Sequence, residues 1–183
     1  VFIEQEQRSK AALYDFSLSG QLVRNNITVC LRGEFASSHL YSTSLLRNDA
    51  HVDNAITVNH FSSNCNSEQI YKGVYDDFST GVFNGGVYVD KCAQKTDASQ
   101  QNNNILLSDN ATIHAKPQLE IFADDVACAH GCTIGQIDET SLFYIRSRGI
   151  SEKGAYVMLL LAFFNDVVSK IDNMRIKNHI TSH

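Results

Sequence analysis

The residues with the richest potential chemistry lie in one short run, from Asp124 to Cys132. Two adjacent carboxylates open the run, and Cys128, His130 and Cys132 follow at intervals of two positions. Because side chains alternate along a strand, this spacing would place the thiols and the imidazole on one face, with neighbours about 6.6 Å apart. Soft and borderline metal ions prefer thiolate and imidazole ligands. The pattern therefore predicts part of a metal site, completed by another strand or another subunit.

Other interpretations of these residues remain open at this point. The thiols can be buried packing groups beside a solvated histidine, and Gly131 can bend the strand away from the third position. A Cys–His nucleophilic pair is disfavoured, because residues i and i+2 of a strand are too far apart for the direct hydrogen bond of about 2.6–3.2 Å that the base needs. A second pair, His60 and Cys65, spans a predicted turn, and we interpret it as structural packing.

Composition and missing motifs argue against several classes of function. The net charge of −5 gives no electrostatic basis for binding nucleic acid or an anionic membrane, so we expect neither partner. Neither Gly-x-x-x-x-Gly-Lys-Ser/Thr nor Gly-x-Gly-x-x-Gly occurs in the sequence. Five cysteines at uneven spacing make a disulfide framework improbable, and they indicate reduced thiols in a cytosol-like compartment.

Short alternating runs of apolar and polar residues would position these groups. They lie at 13–18, 26–31, 55–58, 69–74, 86–89, 104–107 and 118–121, and clusters of Asn, Asp, Ser and Gly separate them. This pattern predicts an all-β body. Both a sandwich with a hairpin at Asn84-Gly85-Gly86 and a β-solenoid fit the pattern. The polar run 100–104, whose side chains can stack from coil to coil, slightly favours the solenoid.

After Gly149 the apolar period becomes helical, and Ser151 is a suitable N-cap. We therefore divide the chain into a β core at 1–150 and a helical segment at 151–183. The apolar stretch 155–164 is too short to cross a bilayer, which needs about 20 residues. A helix packed only on its own domain and a helix that is also covered by a partner subunit both remain open, and an apolar surface wider than one stripe leans toward the second. The candidate partner-binding residues are Tyr156, Val157, Leu160, Leu161 and Phe164.

Six sequence blocks carry a family resemblance that spacing alone does not give. They are Pro117–Val126 with the Cys-Ala-His-Gly string at 128–131, Phe143–Ile150, and shorter blocks at 51–54, 71–73, 82–85 and 93–98. In this order they resemble the SufD family of iron–sulfur cluster assembly scaffolds, from about Arg24 to Val168. The sister SufB family shares the Phe-Tyr-x-x-x-Arg-Gly stretch but has an acidic and histidine-containing run at 128–133, so the resemblance favours SufD.

The resemblance implies a right-handed parallel β-helix followed by a C-terminal α-helical segment. It also implies pairing with a SufB-like subunit and docking of a SufC-like ATPase on the C-terminal helices. By this resemblance His130 corresponds to a histidine that faces a SufB cysteine, and Cys128 matches the cysteine beside it. The chain would be a scaffold rather than an enzyme in a bacterial cytosol or plastid stroma. It would bind no cofactor stably by itself, and a transient iron ion or iron–sulfur cluster would lie at the interface.

Two departures from the family pattern accompany this expectation. Position 132 is cysteine where the family usually has a small residue, and we interpret Cys132 as core filling, with an extra thiol of the site as the alternative. The helical region that precedes the family's core is absent, and Val1-Phe2-Ile3 is typical of a strand entered within a fold.

Whether the isolated chain forms a homodimer stays open. The alternative function is a stand-alone β-solenoid enzyme or carbohydrate-binding protein, which the absence of Trp disfavours.

Overall fold

The computed structural model describes residues 1–171, 174, 175 and 177. The strands of this part are β1 (Phe2–Gln5), β2 (Lys10–Ser17), β3 (Leu22–Leu31), β4 (Ser37–Leu46), β5 (His51–His60), β6 (Asn66–Tyr75), β7 (Thr80–Val89), β8 (Asp97–Leu106), β9 (Thr112–Ile121) and β10 (Ala127–Gly135). The helices are α1 (Glu139–Arg146) and α2 (Glu152–Val168). The other residues of the predicted helical segment, 172, 173, 176 and 178–183, lie outside the described residues.

Successive strands alternate between two five-stranded parallel sheets. Sheet A has the order β1-β3-β5-β7-β9, and sheet B has the order β10-β8-β6-β4-β2. Each strand pairs with the strand one coil further along, about 30 residues away, so that Leu22 lies opposite His51 and His51 lies opposite Thr80. This arrangement is a parallel β-solenoid, which confirms the predicted parallel β-helix.

The hairpin considered at Asn84-Gly85-Gly86 is wrong, because these residues lie inside β7. Gly85 is needed there for space rather than for a turn. A β-carbon at Gly85 would lie 2.5 Å from the Phe83 ring and 2.7 Å from the Gln100 amide nitrogen. The side chains of Phe83 and Gln100 therefore occupy the space that a side chain at position 85 would need.

The corners of the coil are built by residues with left-handed backbone conformation, which are Arg8, Phe35, Asn48, Asn64, Asp77 and Lys95, with φ from 52° to 61°. Several of them donate a backbone hydrogen bond to the next coil, as the Asn64 N–H does to the Gln94 carbonyl at 2.9 Å. The Asn and Asp residues match the predicted turn chemistry. At Phe35 and Lys95, stacking of coils imposes a conformation that such side chains rarely adopt.

The interior is apolar on the side of sheet A and mixed on the side of sheet B. Its central cluster includes Val29, Leu31, Leu40, Ile56 and Phe83. Buried polar side chains from sheet B complete the interior, and they include Gln69, Gln100, Asn102 and Asn104. Coil-to-coil stacking within the polar run 100–104 is thus confirmed for Gln100, whose Nε2 donates to the Gln69 Oε1 at 3.1 Å.

The C-terminal half of α2 packs on the outer face of sheet B. Val167 is fully buried against Tyr41 and Ile70, and the Lys72 ammonium lies 2.6 Å from the Asp166 carboxylate. Ser151 caps the helix as predicted, since its hydroxyl accepts from the Gly154 N–H. The helical part nevertheless begins at Glu139, within the segment assigned to the β core. No helix in the described part of the chain is both long enough and apolar enough to span a bilayer.

His60 is expected to make the fold acid-sensitive. It is 0% exposed, and burial lowers its pKa from 6.5 to about 4. Because the unfolded chain binds a proton at His60 more readily, the stabilisation is complete above pH 6.5 and is lost as the pH falls toward 4, about 3 kcal/mol in total. Urea unfolding of His60→Gln between pH 7 and pH 4 should show a shallower pH dependence than wild type.

The control for this measurement is His114→Gln, at an exposed histidine of β9. That variant should keep the wild-type pH dependence of the free energy of unfolding. An identical slope in His60→Gln and wild type would contradict the assignment of this acid sensitivity to His60.

Candidate functional site

β10 is the last strand of sheet B, and among the described strands it pairs with β8 alone. The Ala127 N–H donates to the Thr96 carbonyl at 2.8 Å, on the β8 side. Since residues of a parallel strand direct their backbone groups alternately to either side, the N–H groups of residues 128, 130, 132 and 134 point to the open edge. Every residue of β10 except Cys128 is exposed. The strand therefore presents backbone donors and acceptors to an incoming strand.

The structure places the three predicted ligand residues on one face of β10, although β10 is a new strand and not a continuation of β9. In the register with β8, Cys128 lies beside Ala98, His130 beside Gln100, and Cys132 beside Asn102. Those three β8 side chains are buried inside the coil. Gly131 stays within the strand and does not displace the third position.

This face of β10 covers the interior of the last coil on one side only. We call the face, with Cys128, His130 and Cys132, the open end. Cys128 is half-buried, because it packs against the cluster that contains Val87 and Ala98. His130 and Cys132 are exposed, because among the described residues no further strand of sheet B stacks on β10. His130 is thus accessible, and its role at a docking face stays a prediction.

Both cysteines of the open end are held as thiols. Burial raises the pKa of Cys128, and the neighbouring Asp97 carboxylate adds to the effect. Burial also raises the pKa of Cys132, whose Sγ lies 3.6 Å from the Asn102 Oδ1, at a distance that suits an S–H donor. A metal ion that binds either sulfur must therefore displace the proton of that thiol.

The open end offers two neighbouring ligand types, which make up only part of a coordination shell. Across residues 1–171, 174, 175 and 177, no group of three or more His, Cys, Asp or Glu side chains is arranged to hold one. His130 and Cys128 can supply one nitrogen and one sulfur, which is half of a tetrahedral shell. What this arrangement can do chemically is to present a ring nitrogen and a thiol at the open face of the last described strand.

His60 and Cys65 pack inside the fold, as the sequence suggested. The His60 Nε2 lies 2.9 Å from the Ser67 hydroxyl, and the Cys65 Sγ lies 3.3 Å from the Gly33 carbonyl oxygen. Both residues are at most 1% exposed. Neither is accessible to a substrate or a metal ion.

The candidate partner-binding residues of α2 divide into two groups. Tyr156, Leu160 and Phe164 are half-buried, whereas Val157 and Leu161 are 48% and 56% exposed. Sequence reasoning missed three exposed apolar residues that extend this surface, and they are Phe143 and Tyr144 of α1 and Met158 of α2. We call the exposed apolar residues of both helices the helical patch, and they are Phe143, Tyr144, Val157, Met158 and Leu161.

The buried platform beneath the open end was also missed as part of the site. Asn102 Oδ1 accepts from the Asn104 Nδ2 at 2.8 Å, and the Asn104 Nδ2 also lies 3.3 Å from the Thr133 carbonyl of β10. Gln100 lies directly under His130 in the register. The signal in the sequence was the polar run 100–104, which predicted stacking but not its connection to the open end.

Fold and site together describe a parallel β-solenoid whose last described strand carries exposed His130 and Cys132 beside half-buried Cys128. The family model described as "SUF system FeS cluster assembly, SufBD core domain" matches residues 1–163 of this chain. The chain therefore belongs to the SufBD core family, as the sequence resemblance indicated.

Three curated relatives illustrate this membership. The iron–sulfur cluster assembly protein SufD of Escherichia coli is 36% identical over 91% of this chain and 40% of its own length. A SufBD family protein of Synechocystis is 34% identical over 92% of this chain and 37% of its own length. The chloroplastic protein ABCI7 of Arabidopsis thaliana is 34% identical over the whole chain and 38% of its own length. The chain thus spans about two fifths of the length of these three relatives.

Proposed function

We propose that the chain is a scaffold subunit for iron–sulfur cluster assembly, and that a nascent cluster or an iron ion is held at its open end. The observation that carries this proposal is the exposure of His130 near Cys128 on β10, which has one edge without a strand partner among the described strands. Family membership supports the same function. The iron or cluster is cargo in this scheme, and the chain contributes ligands and position rather than a reaction of its own.

The partner that fits the open edge of β10 is a SufB-like subunit with a β-solenoid of its own. Addition of a strand to a free edge satisfies backbone groups that are otherwise left to water. It would also bring the partner's side chains over His130 and Cys128, where thiolates of the partner can complete the coordination shell. A second copy of this chain can use the same edge, which makes a homodimer the competing occupant.

His130 suits the role of the first ligand to capture iron. Its ring is exposed on β10, and a ring nitrogen is a ligand that borderline metal ions such as iron accept. The thiol of Cys128 has a raised pKa and joins the shell only by losing its proton. We place this assembly in a bacterial cytosol or plastid stroma, by analogy with the relatives.

The test of this function is anaerobic co-expression with the SufB-like and SufC-like subunits of the same organism. The tagged chain should retain both subunits through size-exclusion chromatography, and the complex should contain iron and sulfide. A chain that associates with neither subunit would overturn the proposed function. A chain that elutes only as a homodimer would do the same.

The helical patch is the proposed docking surface for a SufC-like ATPase. Replacing Leu161 with glutamate puts a charge into the helical patch, and we expect this change to weaken binding of the ATPase by at least about tenfold, since a desolvated charge without a partner is costly. The melting temperature should stay near that of wild type, because Leu161 is 56% exposed. Isothermal titration with the ATPase measures the affinity.

Thr57→Glu is the matched control for this prediction, because Thr57 is exposed on the outer face of β5 in sheet A. It adds the same charge on the other sheet and should leave the affinity unchanged. Equal affinities of Leu161→Glu and wild type for the ATPase would exclude the helical patch as the docking surface.

A further inference from the structure

Two buried glutamine side chains form a column that leads to His130. Gln69 of β6, Gln100 of β8 and His130 of β10 occupy the same register position on successive strands. Gln69 and Gln100 are 0% and 1% exposed. The Gln100 Nε2 donates to the Gln69 Oε1 at 3.1 Å, so the two amides form a ladder that stops one strand below the imidazole.

The ladder leaves one acceptor unused, and this acceptor is the Gln100 Oε1. It is buried and has no hydrogen-bond partner among the described residues. Buried carbonyl oxygens without a partner are rare, because their desolvation is not offset. The strand above it is β10, whose backbone lies about 4.8 Å away, and the residue of β10 in register with Gln100 is His130.

The other buried polar groups of the platform do not offer His130 an acceptor. Asn102 Oδ1 already accepts from the Asn104 Nδ2 and lies 3.6 Å from the Cys132 thiol. Asn104 Oδ1 lacks a partner too, but its register neighbour on β10 is Ile134, which has no polar side-chain atom. Gln100 Oε1 is therefore the unused acceptor in register with the imidazole.

We propose that Gln100 is a positioning residue for His130. When a partner covers the open end, the Gln100 Oε1 accepts a hydrogen bond from one ring N–H of His130. A neutral imidazole then has its lone pair on the other nitrogen, which points away from the coil toward the partner and the iron. The acceptor thus selects the tautomer and the ring orientation that coordination requires. This inference rests on the proposed function of His130.

Gln100→Met removes the acceptor with little change in side-chain volume. In the complex with the SufB-like subunit, we expect the affinity for Fe(II), measured anaerobically, to fall about tenfold, as for other residues that orient a metal ligand. Gln101→Met is the matched control, because Gln101 is the next residue of β8, is exposed and faces outward. That variant should bind Fe(II) as wild type does.

Gln100→Met also leaves Gln69 without its partner, which can destabilise the fold. The double variant Gln69→Met/Gln100→Met removes both amides together, and replacing both members of a buried pair with apolar groups is nearly neutral for stability. It should show the same loss of Fe(II) affinity as Gln100→Met. Wild-type Fe(II) affinity in a folded double variant would overturn the inference.

A spectroscopic measurement separates positioning from a purely structural role. With nitrogen-15 histidine in this chain only, solid-state NMR of the complex reports the tautomer of His130, whose signals are those missing from His130→Ala. We expect a single neutral tautomer in wild type and in Gln101→Met, and a mixture in Gln100→Met. The same tautomer ratio in all three proteins would contradict the proposal.

Failure of this inference can be told apart from failure of the proposed function. If His130→Ala leaves Fe(II) binding to the complex unchanged, His130 is not a ligand, and the proposed function fails at its main residue. If His130→Ala abolishes binding while both methionine variants at Gln100 bind as wild type does, only the positioning role of Gln100 is lost.

Discussion

His130→Ala is expected to lower the yield of iron–sulfur cluster on the reconstituted complex by more than about tenfold, since it removes a ligand outright and not merely a group that orients one. Both thiols of the open end have raised pKa values and must lose a proton before they bind a metal ion, so they do not readily replace the imidazole. The measurement is anaerobic reconstitution with the SufB-like and SufC-like subunits, ferrous iron and a sulfide source, followed by absorbance and iron analysis.

His114→Ala is the control, because His114 is also an exposed histidine on the last strand of its sheet but points away from the interior. The cluster yield of this variant should equal that of wild type. If the yields of both variants match wild type while the complex remains intact, the role assigned to His130 is wrong.

The second large effect is expected at the backbone of β10. Ile134→Pro removes an N–H that points to the open edge, where it has no strand partner among the described residues. Proline cannot donate to an incoming strand, and its ring obstructs close approach. We expect the affinity for the SufB-like subunit to fall by at least about tenfold, as main-chain hydrogen bonds supply much of the affinity in strand addition.

Ile134→Val keeps the N–H and nearly the same side chain, so it should bind the partner as wild type does. Circular dichroism should show the same β content in both variants, because the N–H of residue 134 contributes nothing to pairing with β8. Wild-type affinity of Ile134→Pro would show that the partner docks elsewhere. A homodimer that uses the same edge should dissociate in Ile134→Pro, which analytical ultracentrifugation can detect.

Strands with one buried face were predictable from the sequence, whereas β4 was not. In β4 the interior residues include Ser38, Ser42 and Ser44, and the outward residues Tyr41 and Thr43 are buried as well. Because both faces of this strand are covered and small polar residues line the interior, apolar and polar residues do not alternate along it. The segment forms a strand because the neighbouring coils stack on it and α2 packs against it, and not because of a local sequence pattern.

α1 was missed although a local signal for it exists. Asp138 is its N-cap, and the carboxylate accepts hydrogen bonds from the Thr140 and Ser141 N–H groups. Glu139 in the first turn adds to this signal. The helix buries only Leu142 and leaves Phe143 exposed, so it lacks the apolar stripe by which helices are usually recognised.

The spacing of Cys128, His130 and Cys132 was enough to predict their shared face, and their role as metal ligands stays a prediction. It was not enough to predict the open end, because exposure of that face depends on where the stack of coils stops. Gln100 was noted only as one of several stacking polar residues. Its relation to His130 follows from the register of β8 and β10, and a register between strands about 30 residues apart is not visible in local sequence patterns.

We propose that this chain supplies only half of the coordination shell around the iron, through His130 and Cys128. Equilibrium dialysis against Fe(II) under anaerobic conditions tests it directly, with this chain alone, the SufB-like subunit alone, and the two together. The account predicts tight iron binding by the complex that depends on His130, and weak binding by either subunit alone. Equally tight binding by the isolated chain, or by a complex that contains His130→Ala, would contradict it.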